Sequence, residues 1–189
     1  YDIIKDYVKV FRTLEESIND IELLCATSVR TRDLDNVVNN PNNTIKVIKR
    51  KYRHNKIGFL FGPEKAGLKN EDLINASNVI NIPTISAFGS LNLAMSVNII
   101  CYEWYKNYNK SLDFKDVSKT DLANKKQVNF FNNRLIKSLH ASNFFSNNKE
   151  NQKLVINLKN IFLKNNLTNK ELRILHGVIT NLKKNEKYN

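Results

Sequence analysis

The stretch KIGFLFGPEKAGLKNEDLINASNVINIP, residues 56–83, decides the fold class of this 189-residue chain. It begins with a continuous apolar run at residues 56–62, which is typical of a strand buried on both faces. A loop with two glycines and a short polar helix follow, and NVINIP then predicts another short strand. The next apolar stretch, residues 90–108, predicts a long helix that begins at Ser90. Strands alternating with helices in this way predict an α/β fold with a mostly parallel sheet.

The same alternation is present upstream of this stretch. The apolar run in IELLCATS, residues 21–28, predicts a further buried strand, and Pro41 precedes TIKVIKRKYRH, which predicts a helix. Thr13 and Glu16 have the spacing of a capping box, so a short helix is expected there. Before that helix, the alternating apolar residues of YVKVFRT, residues 7–13, predict a strand.

Residues 109–126 are polar and show almost no periodicity, which predicts a linker between an α/β domain at 1–108 and a C-terminal domain at 127–189. The C-terminal part contains three stretches with apolar residues at helical spacing. Thr168 and Glu171 form a second capping box before the last of them. The sequence therefore predicts a small domain of three helices.

The net charge of +12 is concentrated in this tail. Residues 1–124 hold 17 basic and 15 acidic side chains, whereas residues 125–189 hold 13 basic and 3 acidic ones, a net of +10. The 23 lysines and 31 asparagines fit the codon bias of an AT-rich genome, but such a bias would not spare one part of the chain. We therefore expect the tail to bind a polyanion. The lysines predicted to contact RNA in the middle tail helix are Lys153, Lys159 and Lys164.

Composition also argues against several classes of protein. An apolar share of 41% argues against disorder throughout, and no apolar run is long enough to cross a membrane. The first residues are charged where a signal peptide is apolar, so a cytoplasmic protein is expected. Cys25 and Cys101 lie far apart without a CxxC motif, and no metal site is expected. The three histidines, which lack ligand spacing and are expected in surface or packing roles, are His54, His140 and His176.

Three loops follow the predicted strands, at residues 27–32, 62–68 and 81–96. The carboxyl ends of strands are where α/β sheets bind ligands, so the chemistry is expected in these loops. Neither GxGxxG nor GxxxxGK[ST] occurs, which leaves a Rossmann site and a Walker loop unsupported. On spacing alone, Gly62 and Gly67 could equally be turn residues.

Two of these loops carry a resemblance to a known family. FGPEKAGL (61–68) and SLNLAMSV (90–97) resemble the second and third motifs, F-G-x-E-x-x-G-L and S-L-N-L-A-x-A/S-V, of the SPOUT (SpoU/TrmH) class of RNA ribose 2′-O-methyltransferases. ATSVRTR (26–32) resembles the T-S-A-R-x-R segment of the TrmJ-like tRNA/rRNA methyltransferase branch. LTNKELRILHGVI (167–179) is similar to the end of that branch's helical domain, so the resemblance covers essentially the whole chain.

The resemblance implies a partial SPOUT domain with a deep trefoil knot, S-adenosylmethionine bound in the knot, and a homodimer. Ile82 would contact the adenine through its main chain, and Gly62 would let backbone approach the ligand. Arg30 and Arg32 would contact RNA phosphate, with a solvated loop as the alternative. The full set of expected cofactor residues is Thr27, Ser28, Val29, Gly62, Ile82, Gly89, Ser90 and Leu91.

The chain also departs from the family. Pro63 stands where close relatives have an Arg, and residues 86–88 lack a carboxylate found there in relatives. The family's first motif, with the Arg regarded as catalytic, would lie before Tyr1, so we expect an N-terminally truncated enzyme and assign no catalytic residue. Glu64 either orders the knot loop or contacts substrate. The aromatic side chains expected at a dimer or domain interface, rather than in a base-stacking platform, are Tyr102, Trp104, Tyr105 and Tyr108.

Three functions remain open on these residues. The first is S-adenosylmethionine-dependent 2′-O-methylation of a tRNA ribose, at the pyrimidine that opens the anticodon loop. The second is the same reaction on rRNA, and the third is a non-catalytic RNA-binding protein with a knotted fold. The sequence does not separate the two RNAs, because both are recognised through A-form shape and loop nucleotides.

Overall fold

The computed structural model describes residues 5–29, 38–85, 89–108, 119–145 and 150–185. Among these residues, no helix has both the length and the apolar character needed to cross a membrane. The elements in chain order are α1 (Leu14–Ile18), β1 (Leu23–Thr27), β2 (Val38–Asn39), α2 (Pro41–Lys51), β3 (Ile57–Leu60), α3 (Asn70–Leu73), β4 (Asn78–Ile80), α4 (Leu93–Tyr108), α5 (Lys125–Ala141), α6 (Glu150–Leu163) and α7 (Asn169–Asn185).

The four described strands form one parallel sheet in the order β2-β4-β1-β3. Leu23 pairs with Ile57 of β3, and Cys25 pairs with Asn78 of β4, so β1 lies inside the sheet. This confirms the predicted α/β fold with a parallel sheet. The two-residue edge strand β2 is an addition, because a pair of residues is too short to show a periodic pattern.

Apolar layers cover both faces of the sheet, which explains the continuous apolar runs of its strands. On one face, α2 and α4 bury Ile48 and Ile100 against Leu23 and Cys25 of β1. On the other face, Leu73 of α3 packs with residues that include Ala26. With both faces covered, the ends of the strands are left as the place where a polar ligand can reach the sheet.

Two expectations about element boundaries are wrong. Residues 8–11 form no strand and Val10 is 93% exposed, because no neighbouring strand pairs with this segment among the described residues. The long helix begins at Leu93 instead of Ser90. Asn92 sets this start, since its Oδ1 accepts a hydrogen bond of 2.7 Å from the Ala94 N–H and thereby caps the helix.

Of the two predicted capping boxes, the one at the start of α7 is complete, whereas at α1 only the Thr13 side of the box forms, because the Glu16 carboxylate accepts a hydrogen bond of 3.2 Å from the Arg12 N–H instead of the Thr13 N–H. The Thr13 hydroxyl accepts a hydrogen bond from the Glu16 N–H, at 3.2 Å, at the start of α1. At the start of α7, the Thr168 N–H donates to the Glu171 carboxylate at 2.8 Å, and the Glu171 N–H donates back to the Thr168 hydroxyl at 3.2 Å. These local signals are readable from sequence because every group involved lies within four residues.

The three tail helices pack around a separate apolar cluster that includes Phe131, Leu163 and Ile179. The described end of the expected linker, residues 119–124, is packed rather than loose: the Ala123 N–H donates to the Leu167 carbonyl at 2.8 Å. Asn124 caps α5, which therefore begins at Lys125, two residues before the expected start of the tail domain. Residues 109–118 of the linker lie outside the described residues.

Lys125 joins the tail to the sheet. Its side chain is buried, and its ammonium donates to the Ser77 hydroxyl at 3.1 Å and to the Leu163 carbonyl at 2.9 Å. Burial lowers the pKa of Lys125 to about 8. The thiol of Cys25 is also buried, and burial raises its pKa to about 12. A costly buried charge thus stands at the junction of the two parts.

Candidate functional site

A cleft of about 890 Å³, including its open mouth, lies at the carboxyl ends of β1, β3 and β4. The three loops singled out in the sequence all contribute to its lining. Gly89, by contrast, does not line it, although it is adjacent to a residue that does. The expected cofactor residues that the structure brings together around the cleft are Thr27, Ser28, Val29, Gly62, Ile82, Ser90 and Leu91.

Hydrogen bonds between strand ends form the floor of the cleft. The Thr27 hydroxyl donates to the Leu60 carbonyl at 3.2 Å, which joins the end of β1 to the end of β3. The Ser28 N–H donates to the Ile80 carbonyl at 3.0 Å, which joins β1 to β4. The floor is therefore held by the sheet itself, and it leaves small side chains and backbone facing the opening.

The loop at 62–68 folds tightly back on itself, and its two glycines have different reasons for being there. Gly67 has a φ of 67° and its N–H donates to the Pro63 carbonyl at 2.8 Å, so it is a turn glycine. A Cβ on Gly62 would lie 2.2 Å from the Gly67 carbonyl carbon and 2.3 Å from the Leu68 nitrogen. Gly62 is thus required by a close approach of two backbone segments at the cleft.

Glu64 connects this loop to the start of α4. Its Oε1 accepts a hydrogen bond of 2.5 Å from the Asn92 side-chain amide, and Asn92 is the residue that caps α4. Leu93 and Ser96, in the first turn of that helix, also line the cleft. The amino end of α4, which favours negative charge, therefore borders the cleft, and Glu64 holds it there.

Few charged groups line the cleft. Among the residues that the structure describes, Glu64 and Lys65 are its ionisable side chains, and no histidine or cysteine contributes. The lining suits a polar ligand held by backbone groups, hydroxyls and an apolar wall such as Ile82, which is 8% exposed. Thr84 and Ser96 also line it and were missed from sequence, because the direction of a loop side chain depends on tertiary packing.

The three histidines take part in local contacts instead of a cluster. Arg53 donates to His54 at 2.8 Å, and the His140 ring lies 4.6 Å from that of Phe145. His176 accepts a hydrogen bond from Arg134 at 3.0 Å. In the described part of the chain, no group of three His, Cys, Asp or Glu side chains could hold a metal ion.

Of the five basic residues expected to contact RNA, the structure describes three. Arg30 and Arg32 lie outside the described residues. Lys153 and Lys159 belong to α6, and Lys164 follows its last residue. A helix turns by about 100° per residue, so Lys159 lies roughly a third of a turn around the helix from Lys153.

The aromatic residues of α4 divide between inside and outside. Trp104 packs edge-on against Phe59, with ring centroids 5.7 Å apart, and the Lys49 ammonium lies 3.7 Å from its centroid. Tyr102 and Tyr105 are 60% and 66% exposed. The side chain of Tyr108 lies outside the described residues.

Comparison with known proteins gives consistent similarities. Residues 3–102 match the family model of the SpoU rRNA Methylase family. An uncharacterized tRNA/rRNA methyltransferase from Haemophilus influenzae is 30% identical over 192 residues, covering 97% of this chain and 74% of the relative. The tRNA (cytidine/uridine-2′-O-)-methyltransferase TrmJ of Photorhabdus laumondii is 29% identical over 183 residues, covering 94% and 74%. The crystal structure of TrmJ from Z. mobilis ZM4 matches with a TM-score of 0.82 at 28% identity, covering 96% of this chain and 76% of that one.

Proposed function

Because the chain belongs to the SpoU rRNA methylase family, we propose that it transfers a methyl group from S-adenosylmethionine to a ribose 2′-hydroxyl of tRNA. The observation that carries the proposal is the convergence of three loops, distant in sequence, on one cleft at the carboxyl ends of the strands. The P. laumondii relative is named for methylation of cytidine and uridine in tRNA, which supports a pyrimidine ribose of tRNA as the substrate. Within tRNA, we propose the pyrimidine that opens the anticodon loop, in the cytoplasm.

The cleft residues fit S-adenosylmethionine in their chemistry. The cleft is open on one side, and its lining combines hydroxyls and backbone groups with an apolar wall, as sites for small polar ligands do. Buried Ile82 offers an apolar wall for an adenine, and the amino end of α4 favours a carboxylate. S-adenosylmethionine supplies an electrophilic methyl group, and the residues of the cleft bind and orient it.

The knot and the homodimer are part of the same proposal. The loop at 62–68 and the loop at 81–92 border one cleft, and the Glu64–Asn92 hydrogen bond joins them, so the two segments that a knot would interlock are adjacent. Met95, Tyr102 and Tyr105 present an exposed apolar and aromatic surface on α4, which would pair with a second copy. Light scattering at micromolar concentration should therefore give the mass of a dimer, and a monomer mass would contradict this part.

Cofactor binding is tested first. Isothermal titration of the folded chain with S-adenosylmethionine should give one site per chain. Ser90→Tyr fills the mouth of the cleft and should weaken binding at least about tenfold, whereas Ser142→Tyr, at an exposed position outside the cleft, is the matched control. A chain with a native circular dichroism spectrum that releases no heat would refute the cofactor assignment.

Substrate choice is tested by methyl transfer. Label from methyl-tritiated S-adenosylmethionine should appear in tRNA transcripts, and nuclease digestion should locate it on one ribose. If the label appears only in fragments of ribosomal RNA, the substrate is rRNA and not tRNA. Cofactor binding and RNA binding without transfer to either RNA would favour a non-catalytic role.

We also propose that the tail supplies most of the RNA affinity through its net charge of +10. Each neutralised phosphate contributes roughly 0.7–0.9 to the slope of log affinity against log salt, so four or five contacts give a slope of about −3 to −4.5. Changing Lys153, Lys159 and Lys164 to Gln should flatten the slope. An equal slope for this variant would assign the RNA contacts to other residues.

A further inference from the structure

We propose that a groove between α5 and α7 in the tail binds one unpaired nucleotide of the RNA, with its base stacked on Phe130 and its phosphate held by Lys126 and Arg173. This inference rests on the proposed function, because it names how the same chain holds its RNA. It concerns a surface in the tail, apart from the cleft at the carboxyl ends of the strands.

The groove has a volume of about 1060 Å³ including its open side. The first turns of α5 form one wall of the groove, and the first half of α7 forms the other. On each helix the lining residues are three or four positions apart or adjacent, so they lie on one face. Buried Leu172 closes the bottom. The residues that line the groove are Asp121, Lys126, Gln127, Phe130, Asn169, Leu172, Arg173 and His176.

Phe130 supplies an exposed aromatic face. Its side chain is 66% exposed, whereas the neighbouring Phe131 is buried in the tail core. Both rings contact His176, with centroid distances of 5.8 Å for Phe130 and 5.3 Å for Phe131, so the imidazole is fixed between the core and the exposed ring. A phenyl ring held at a groove with one side open to solvent is suited to stacking on a nucleobase, since every base has a π-face.

The cationic side chains of the groove are available for phosphate. Lys126 and Arg173 are exposed, and neither forms a salt bridge with a carboxylate among the described residues. Asp121 lies at the rim, and its Oδ1 accepts a hydrogen bond of 2.7 Å from the Asn169 amide. The groove thus holds two cationic side chains and one carboxylate, which is already hydrogen-bonded. Because the tail as a whole has a net charge of +10, the groove should attract an anion.

His176 completes the groove with a fixed donor. The Arg134 guanidinium is always protonated and donates to His176 Nδ1 at 3.0 Å, so the ring proton of the neutral imidazole lies on Nε2. Burial and the neighbouring Arg134 both lower the pKa of His176, which favours the neutral form of the ring. A stacking face, two cations and a neutral donor together match a nucleotide better than they match an apolar peptide.

The test uses the full chain and a fluorescein-labelled 12-nucleotide single-stranded RNA of mixed sequence, with a 12-base-pair RNA duplex as the comparison probe. Phe130→Ala should weaken binding of the single strand by about 5- to 150-fold without changing the salt slope, because stacking releases no counterions. Phe130→Trp should retain the affinity of the unchanged chain. Binding of the duplex, whose bases are paired, should change less than twofold.

The contact of Arg173 with phosphate is tested independently of the stacking on Phe130. Arg173→Gln should reduce the salt slope for the single strand by about 0.7, the contribution of one phosphate contact. The matched control is Lys183→Gln, which removes one exposed charge from the same helix at a position outside the groove and should lower the slope by less than half as much. This arm stands alone if Phe130→Ala fails to fold.

Equal affinities of Phe130→Ala and the unchanged chain for the single strand would overturn the stacking site. Equal losses for single strand and duplex would also overturn it, because they would indicate a general phosphate surface. A concentration-dependent dimer that disappears in Phe130→Ala would identify the occupant as a second copy. If the wild-type chain binds S-adenosylmethionine and methylates RNA but Phe130→Ala binds RNA with wild-type affinity, only this inference fails. If the wild-type chain neither binds S-adenosylmethionine nor methylates RNA, the proposed function fails.

Discussion

Replacing Lys125 by methionine should change how the stability of the protein depends on pH. The ammonium is buried at the junction of the tail and the sheet, and burial lowers its pKa from 10.5 in the unfolded chain to about 8 in the folded one. Between these pH values the unfolded chain binds more protons than the folded chain, so the free energy of unfolding rises with pH. At about 1.36 kcal/mol per pH unit, the gap between the two pKa values corresponds to roughly 3 kcal/mol.

The expected result is a pH-dependent difference in the free energy of unfolding between the wild-type chain and Lys125→Met. At pH 7, the Lys125→Met variant would escape the cost of burying a charge but would leave the Ser77 hydroxyl and the Leu163 carbonyl without their donor, which costs about 1–3 kcal/mol each. The two effects oppose each other and are of similar size, so the free energies of unfolding at pH 7 should agree within about 3 kcal/mol. As the pH rises from 8 to 10.5, the unchanged chain should gain about 3 kcal/mol relative to Lys125→Met.

Urea denaturation followed by circular dichroism, at five pH values from 7 to 10.5, measures this difference. The series is repeated in a Cys25→Ala background, because Cys25 is the other buried titratable group nearby. Burial raises the pKa of this thiol to about 12, so it stays neutral in the folded chain over the range used and should not alter the difference. If the difference in free energy of unfolding between the wild-type chain and Lys125→Met does not change with pH, the reasoning is refuted.

Three further substitutions have definite expectations. Gly62→Ala brings a Cβ within 2.3 Å of backbone that cannot yield, so it should lower the free energy of unfolding by about 1–3 kcal/mol in urea denaturation. The same change should weaken S-adenosylmethionine binding at least about tenfold in titration calorimetry. Unaltered stability and binding would contradict the packing of the cleft. Gly177→Ala meets no atom within 4 Å inside α7 and should raise stability by about 0.5–1 kcal/mol, seen as a higher melting temperature, and a decrease would show that the position is not free helix surface. Thr168→Ala removes the capping hydroxyl of α7 and should cost about 1 kcal/mol in urea denaturation; an unchanged free energy of unfolding would contradict the role of this cap.

The parts of the fold that the sequence predicts are those encoded by nearby residues. The apolar run that contains Leu23–Thr27 and the capping residues Thr13 and Thr168 carry their information within a few positions, so β1 and the starts of α1 and α7 were predictable. The segment 7–13 has strand alternation, but a strand needs a partner, and its position relative to the sheet is not a local property. The same reason hides β2, whose residues Val38 and Asn39 are defined only by their pairing with β4.

The candidate site divides in the same way. Family motifs indicated the three loops, and the structure brings residues of all three to one cleft, including Thr27 and Gly62. The motifs did not indicate that Glu64 would bond to Asn92, which depends on how two loops meet. The groove around Phe130 was missed because an exposed and a buried phenylalanine look alike when they are adjacent in a helix, as Phe130 and Phe131 are.

The position of the tail has a consequence for the size of the substrate. The tail is attached at the amino ends of the strands, where Lys125 and Lys126 donate backbone hydrogen bonds to the Ile21 and Asn19 carbonyls that precede β1. The cleft lined by the three loops lies at the opposite, carboxyl ends. The five residues of β1, at about 3.3 Å each, keep the two regions roughly 16 Å apart at the least. An RNA that contacts both regions must therefore extend along the whole length of β1, or reach from one region of this chain to the other region of a second copy.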